Sequence, residues 1–169
     1  MPNQAQVLIG LCNPKSPENV GSVMRAAACY RATEIRYTGK RFDRAAKYNT
    51  DTSKSKSKSA LSHVNDLITE VPADLSIVCV ELVEGATPLP LFEHPLNAFY
   101  VFGPEDGSIE QNLISHAQHV VYVPTVGCMN LAASVNVVLY DRLAKSGLKY
   151  DDSLIRKSRD VNNRLKLEP

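Results

Sequence analysis

Apolar positions along the chain fall alternately into short runs and spaced stripes. Ala5 to Leu11 (AQVLIGL) is a compact apolar run, the pattern of a buried strand. After a loop over 11–15, Ser16 and Pro17 open a helix, because Ser caps well and Pro fits the first helical position. On that helix Val20, Val23, Met24 and Ala27 recur at helical spacing as a core stripe. Asn19, Ser22 and Arg25 advance by threes and form a polar strip beside it. Glu34 to Thr38 predicts a second strand, and Arg41 to Ser59 is basic with only a weak pattern. Ala60 to Glu70 reads as helix, Leu75 to Val80 and Ala98 to Phe102 as strands, Ile109 to Ala117 as helix, and Val120 to Val123 as strand. Asn130 caps a last long helix with a stripe of Leu131, Val135, Val138, Leu139 and Leu143, ending near Gly147. Past Tyr150 the chain is polar and basic, with Leu154, Val161 and Leu165 as sparse anchors of a loosely held helix. Strands alternating with helices predict one α/β domain over residues 1–150, with a mostly parallel sheet, and a basic tail over 151–169.

Composition narrows the class. A 169-residue chain with 44% hydrophobic and 22% charged residues can bury its own core. No apolar run approaches the roughly 18 residues of a membrane span, and the first residues lack a basic signal-peptide region. Cys12, Cys29, Cys79 and Cys128 are scattered, with neither a disulfide framework nor zinc spacing. The expectation is a reducing cytoplasm, mostly buried free thiols, no metal and no membrane. The net charge of +1 conceals an asymmetry. Residues 1–60 carry 11 basic and 4 acidic side chains, 61–130 carry 9 acids and no Lys or Arg, and 131–169 carry 8 basic and 5 acidic. The basic first third is either a polyanion footprint or a solvated surface. Within it, 53–59 alternates Ser with Lys54, Lys56 and Lys58, apolar-free and of low complexity.

In an open parallel sheet, ligands bind where strands end. Three such exits carry unusual residues. The first, Asn13 to Arg25, runs through two prolines into the first helix; Gly21 is costly there, by about 1 kcal/mol against Ala, which suggests close approach of a ligand or backbone. Arg25 either holds a phosphate or is solvated. The second, Phe102-Gly103-Pro104-Glu105-Asp106-Gly107-Ser108-Ile109, is either a functional turn or a connector with a cap at Ser108. The third, Val123 to Leu131, leads through Pro124 and Gly127 to Asn130, a cap or more than a cap. Walker, Gly-x-Gly-x-x-Gly and Gly-x-Ser-x-Gly patterns are absent, so a P-loop NTPase, a Rossmann enzyme and an α/β-hydrolase are disfavoured.

Taken in order, the three segments resemble the motifs of the SpoU/TrmH family of SPOUT RNA methyltransferases. Asn19 to Ala26 is similar to motif one, Phe102 to Ile109 to motif two, and Val123-Pro124 with Met129-Asn130-Leu131 and Val135 to Tyr140 to motif three; the likeness covers about residues 5 to 147. The Gly-Pro-Glu and Met-Asn-Leu variants resemble the compact branch that methylates tRNA ribose 2′-hydroxyls. The resemblance implies a SPOUT-like parallel sheet with helices on both faces and a C-terminal deep trefoil knot. It implies S-adenosyl-L-methionine as cofactor, held at Gly103, Val123, Met129, Leu131 and Val83, and a homodimer whose motif one completes the partner's site. It implies Arg25 as the catalytic group, with Asn19 orienting it or the ribose, Glu105 pairing with an Arg of the same or the partner subunit, and Asn130 anchoring the loop. Lys15, Lys54, Lys56 and Lys58 are the candidate RNA contacts. One departure matters: Cys128 stands where the family often has Ser, and a thiol is the weaker donor. The alternatives are a catalytically weak or silent RNA-binding homologue and an rRNA ribose 2′-O-methyltransferase.

Overall fold

The computed structural model describes residues 5–47, 60–69 and 71–167. Seven strands make one sheet: β1 (Val7–Leu11), β2 (Glu34–Tyr37), β3 (Ala60–His63), β4 (Ser76–Val80), β5 (Thr87–Pro88), β6 (Ala98–Phe102) and β7 (His119–Tyr122). Their order is β3-β2-β1-β6-β4-β7-β5, and each pairing is parallel. The central strands β1 and β6 are buried at every position. That is why each reads as a continuous apolar run and not as an alternating one. Gly10 is a packing requirement: a Cβ there would lie 2.9 Å from the ring of Phe99 on the neighbouring strand.

Helices cover both faces. On one, α1 (Pro17–Cys29) and α4 (Leu131–Ala144) pack together, burying Val20, Val23, Ala26 and Ala27 against Leu131, Val135, Val138 and Leu139 over Ile9, Leu11 and Tyr100. On the other, α3 (Gln111–His116) and the irregular 64–71 stretch put Leu113, Leu67 and Ile109 over Leu8, Ile77, Phe99 and Val101. A short α2 (Arg41–Ala46), a 3-10 turn (Leu89–Leu91) and α5 (Asp152–Ser158) complete the elements.

Several expectations are corrected. Ala60–Glu70 is not helical among its described residues: Ala60–His63 is an edge strand paired with β2, Ala60 opposite Glu34 and His63 opposite Tyr37. Val64, Leu67 and Ile68 do reach the core, but from coil turned by Asp66, whose Oδ1 accepts from Ile68 N at 2.7 Å. Spacing by threes and fours is met here without a helix, and the open edge of β2 claims the first four residues. The helix after motif two begins at Gln111 with Glu110, not Ser108, at its cap. Leu154, Val161 and Leu165 anchor nothing and are exposed. All four cysteines are free, but only Cys79 is fully buried, with Cys29 and Cys128 exposed. Among the described residues no helix is long and apolar enough to cross a membrane, and no cluster of three metal-ligating side chains occurs.

Candidate active site

Parallel pairing brings the exits of β1, β4, β6 and β7 to one edge of the sheet. There the three motif segments are joined by side chains. Glu105 accepts from the backbone amides of Lys15 (2.9 Å) and Ser16 (3.1 Å) and from Asn19 Nδ2 (3.2 Å). Asn19 Oδ1 in turn accepts from Asn130 Nδ2 at 2.9 Å. Asn130 also caps α4, its Oδ1 accepting from Ala132 N and Ala133 N. So Asn130 is a cap and more: one end of a Glu105–Asn19–Asn130 chain that ties motif two to motif one and motif one to motif three. Ser16 caps α1 by accepting from Asn19 N at 3.1 Å, which fixes the turn that presents Asn19.

The Glu105 carboxyl feels opposed influences. Partial burial pushes its pKa up, but the amides of Ser16, Glu105 itself and Lys15 and the Asn19 side chain outweigh it, and the net shift is downward. Glu105 is therefore an acceptor at neutral pH. Among the described residues no arginine reaches it. Arg41 instead pairs with the neighbouring Asp106 at 2.8 Å and donates to Asn13 O, and Lys15 Nζ stands 3.9 Å from Asp106. An inter-subunit Glu105–Arg pair is not needed to explain the Glu105 geometry.

Beside this chain lies a cleft of about 160 Å³. Gly103, Val123, Met129 and Leu131 line it, as does Cys128. Val83 does not; its neighbours Glu81 and Leu82 do. At Gly103 a Cβ would come within 3.1 Å of Glu81 Oε2 and 3.3 Å of Ile109 N, so a side chain would crowd this wall. Glu81 accepts from Ile109 N at 3.0 Å and Leu82 N at 2.9 Å and clips the β4 exit to motif two. Sequence reasoning missed Glu81, although an acid at a strand exit was a legible signal. Beneath, burial foremost, then the Glu110 and Glu81 carboxylates, pushes the Cys12 thiol up to about 12; burial also leads the rise of Cys79 to about 12. Both stay protonated and are not nucleophiles at neutral pH.

Arg25 lies exposed on α1, beside but not on the stripe of Val20, Val23, Ala26 and Ala27. Among the described residues no partner holds its guanidinium. Lys54, Lys56 and Lys58 lie outside the described residues. Gly21, for which a close approach was expected, faces open space: a Cβ would meet nothing within 4 Å. Gly21→Ala is therefore expected to stabilise the fold by about 0.5–1 kcal/mol, read from the denaturation midpoint. A loss of stability would mean that this helix face is covered in solution.

No curated protein matches the chain in sequence. Solved structures do match in fold. An rRNA methyltransferase from Sinorhizobium meliloti is 18% identical with a TM-score of 0.66, over 86% of this chain and 58% of that one. The SpoU methyltransferase AviRb from Streptomyces viridochromogenes, in complex with AdoMet, is 15% identical with a TM-score of 0.68, over 85% and 62%. A structure described as giving insight into 2-OH methylation of C/U34 on tRNA is 17% identical with a TM-score of 0.68, over 84% and 91%. The chain thus spans under two thirds of the first two relatives and nearly all of the third. At such identities the likeness is one of fold. Residues 6–140 match the SpoU rRNA Methylase family, a span that contains all seven strands and all three motif segments, so the chain belongs to that family.

Proposed function

We propose that this protein is an RNA methyltransferase that moves the methyl group of S-adenosyl-L-methionine to a ribose 2′-hydroxyl, with tRNA as the substrate class. The observation that carries the reading is the Glu105–Asn19–Asn130 chain beside the cleft, with Arg25 unpartnered on the same helix as Asn19. The cleft suits the cofactor chemically: Val123, Met129 and Leu131 give apolar surface for an adenine, and the bare Gly103 wall admits a ligand where a side chain would crowd Glu81. When bound, the cofactor supplies an electrophilic sulfonium methyl to an incoming oxygen.

The protein's own work is placement and charge. Asn130 and Glu105 fix Asn19 from two sides, which holds the first turn of α1 in place beside the cleft. Arg25 offers only donors and no acceptor lone pair, so its role is not proton abstraction. It holds the adjacent phosphate and offsets the negative charge that develops on the ribose oxygen. The tRNA assignment is supported by the likeness to the structure on 2-OH methylation of C/U34 on tRNA, matched over 91% of its length at a TM-score of 0.68. Lys15, Lys54, Lys56 and Lys58 would add phosphate contacts.

The reading extends to architecture. β7 lies between β4 and β5, so the 81–86 connection bridges the carboxyl end of β7, a crossing of the kind a C-terminal trefoil knot uses. A homodimer would cover the exposed Leu91, Leu96 and Tyr140, which lie on α4 and the segment beside it, and would bury more than about 2,000 Å² in total. Light scattering should give twice the 18.6 kDa chain mass; a monomer at micromolar concentration would remove the shared-site arrangement. A catalytically silent RNA-binding homologue is the second reading, favoured only by Cys128 in the cleft wall. The deciding experiment incubates the protein with tRNA and methyl-labelled cofactor, then digests the RNA in alkali. Label in an alkali-resistant dinucleotide is expected. Label on a base, or none despite cofactor binding, overturns the proposal.

A further inference from the structure

We propose that residues 156–166 form a second RNA-docking site, separate from the cleft and grasping phosphates of the same RNA. This rests on the RNA methyltransferase reading. From Arg156 to Lys166 the chain holds five cations, Arg156, Lys157, Arg159, Arg164 and Lys166, against one acid, Asp160. Local structure gathers them. Asp160 Oδ1 accepts from Asn162 N at 2.8 Å and its carbonyl from Asn163 N at 3.0 Å, so the chain turns back on itself. Asn163 Oδ1 accepts from Leu165 N, and Arg159 donates to Leu165 O at 3.4 Å, which closes the hook. All five cations then line one open recess. The lone acid is engaged in the turn, and among the described residues none of the five enters an ion pair.

Among the described residues no hydrogen bond or ion pair ties this hook to the sheet. The seven residues of α5 are exposed throughout. Among the described residues its one side-chain support is the Asp151 cap, whose Oδ1 accepts from Ser153 N at 2.8 Å. Its charge selects the partner. Five cations in one recess, none of them in an ion pair among the described residues, suit a polyanion. A membrane surface fits less well, because α5 offers only Leu154 and Ile155 and lacks a continuous apolar face. Position supports a distinct contact. The recess shares no lining residue with the cleft beside Asn130.

The test uses the full chain with all five cations changed to Gln. Binding of fluorescent tRNA is measured from 50 to 300 mM salt, alongside cofactor binding and melting. The variant should melt like the wild type, keep its cofactor affinity and bind tRNA at least tenfold more weakly. Its log–log salt slope should fall by roughly 0.7–0.9 for each phosphate left unneutralised, about 2 or more in all. Equal affinity and slope in the two proteins overturn the inference alone. Wild type that binds cofactor but no RNA overturns the functional reading and this site with it. A changed scattering mass would make the hook an intersubunit element, and preferential binding of phosphatidylserine vesicles a membrane anchor; either overturns the proposal.

Discussion

Arg25→Ala is expected to lower turnover about a hundredfold or more at saturating tRNA, as when a transition-state charge stabiliser is removed. Its fold should not notice. Arg25 is exposed, and the residues of α1 that carry packing are Val20, Val23, Ala26 and Ala27; exposed substitutions usually stay within about 0.5 kcal/mol. Cofactor affinity should also survive, because the cleft is built from the exits of β4, β6 and β7 and the start of α4, with no residue from α1. The combination is diagnostic: an intact fold, an intact cofactor site and a much slower reaction place Arg25 on the substrate side. Arg25→Lys should rescue little, since an ammonium is a point charge and cannot form a bidentate fork on phosphate. Turnover measured alongside calorimetric cofactor binding separates these claims. Near-normal turnover of Arg25→Ala would make Arg25 a surface residue and remove the assignment of the site.

What the sequence discloses follows from which interactions are local. Asn19, Glu105 and Asn130 are visible because each sits at a strand exit, a helix cap or the first turn of a helix, where residue type and short-range spacing decide the conformation. Their mutual hydrogen bonds, across 86 and 111 residues of chain, are not visible, because no local pattern encodes which exits meet. The seven-strand order belongs to the same category. β1 and β6 announce themselves as apolar runs, whereas β3 and β5 are edge strands of four and two residues that exist because a neighbour offers unpaired backbone. The partner of Glu105 is hidden for a related reason. An acid suggests an arginine, but here its negative charge is met by two backbone amides and a side-chain amide, groups every loop possesses.

The same lesson applies to His94, which no motif marks and whose replacement by Ala should cost about 3 kcal/mol or more, a fall in Tm of about 6–12 °C. Its side chain is 5% exposed. Nε2 lies 2.8 Å from Asp141 Oδ2, and Nδ1 lies 2.6 Å from Tyr100 OH. Asp141 can only accept, so Nε2 carries the proton and Nδ1 accepts from the Tyr100 hydroxyl. That hydroxyl also accepts from Arg142, which donates on to Pro95 O and Leu96 O, while Lys145 reaches Asp141, Leu89 O and Phe92 O. The network therefore fastens the 89–97 segment to the last turns of α4. Removing the imidazole leaves Tyr100 and Asp141 without a shared partner and a void beside Phe92. Burial is the dominant influence on His94 and lowers its pKa below the usual 6.5; the Asp141 hydrogen bond and charge pull it back only in part, and Arg142 and Lys145 lower it further. The folded state thus keeps His94 neutral while the unfolded chain takes up a proton. Stability is full above about pH 6.5 and declines as pH falls toward the lowered folded value. Chemical denaturation at pH 7.5 and 5.5 should show the wild type losing more stability than His94→Ala over that interval. Parallel losses in the two proteins, or strictly additive costs of His94→Ala and Asp141→Asn, would show that the imidazole is not the coupled centre of this network.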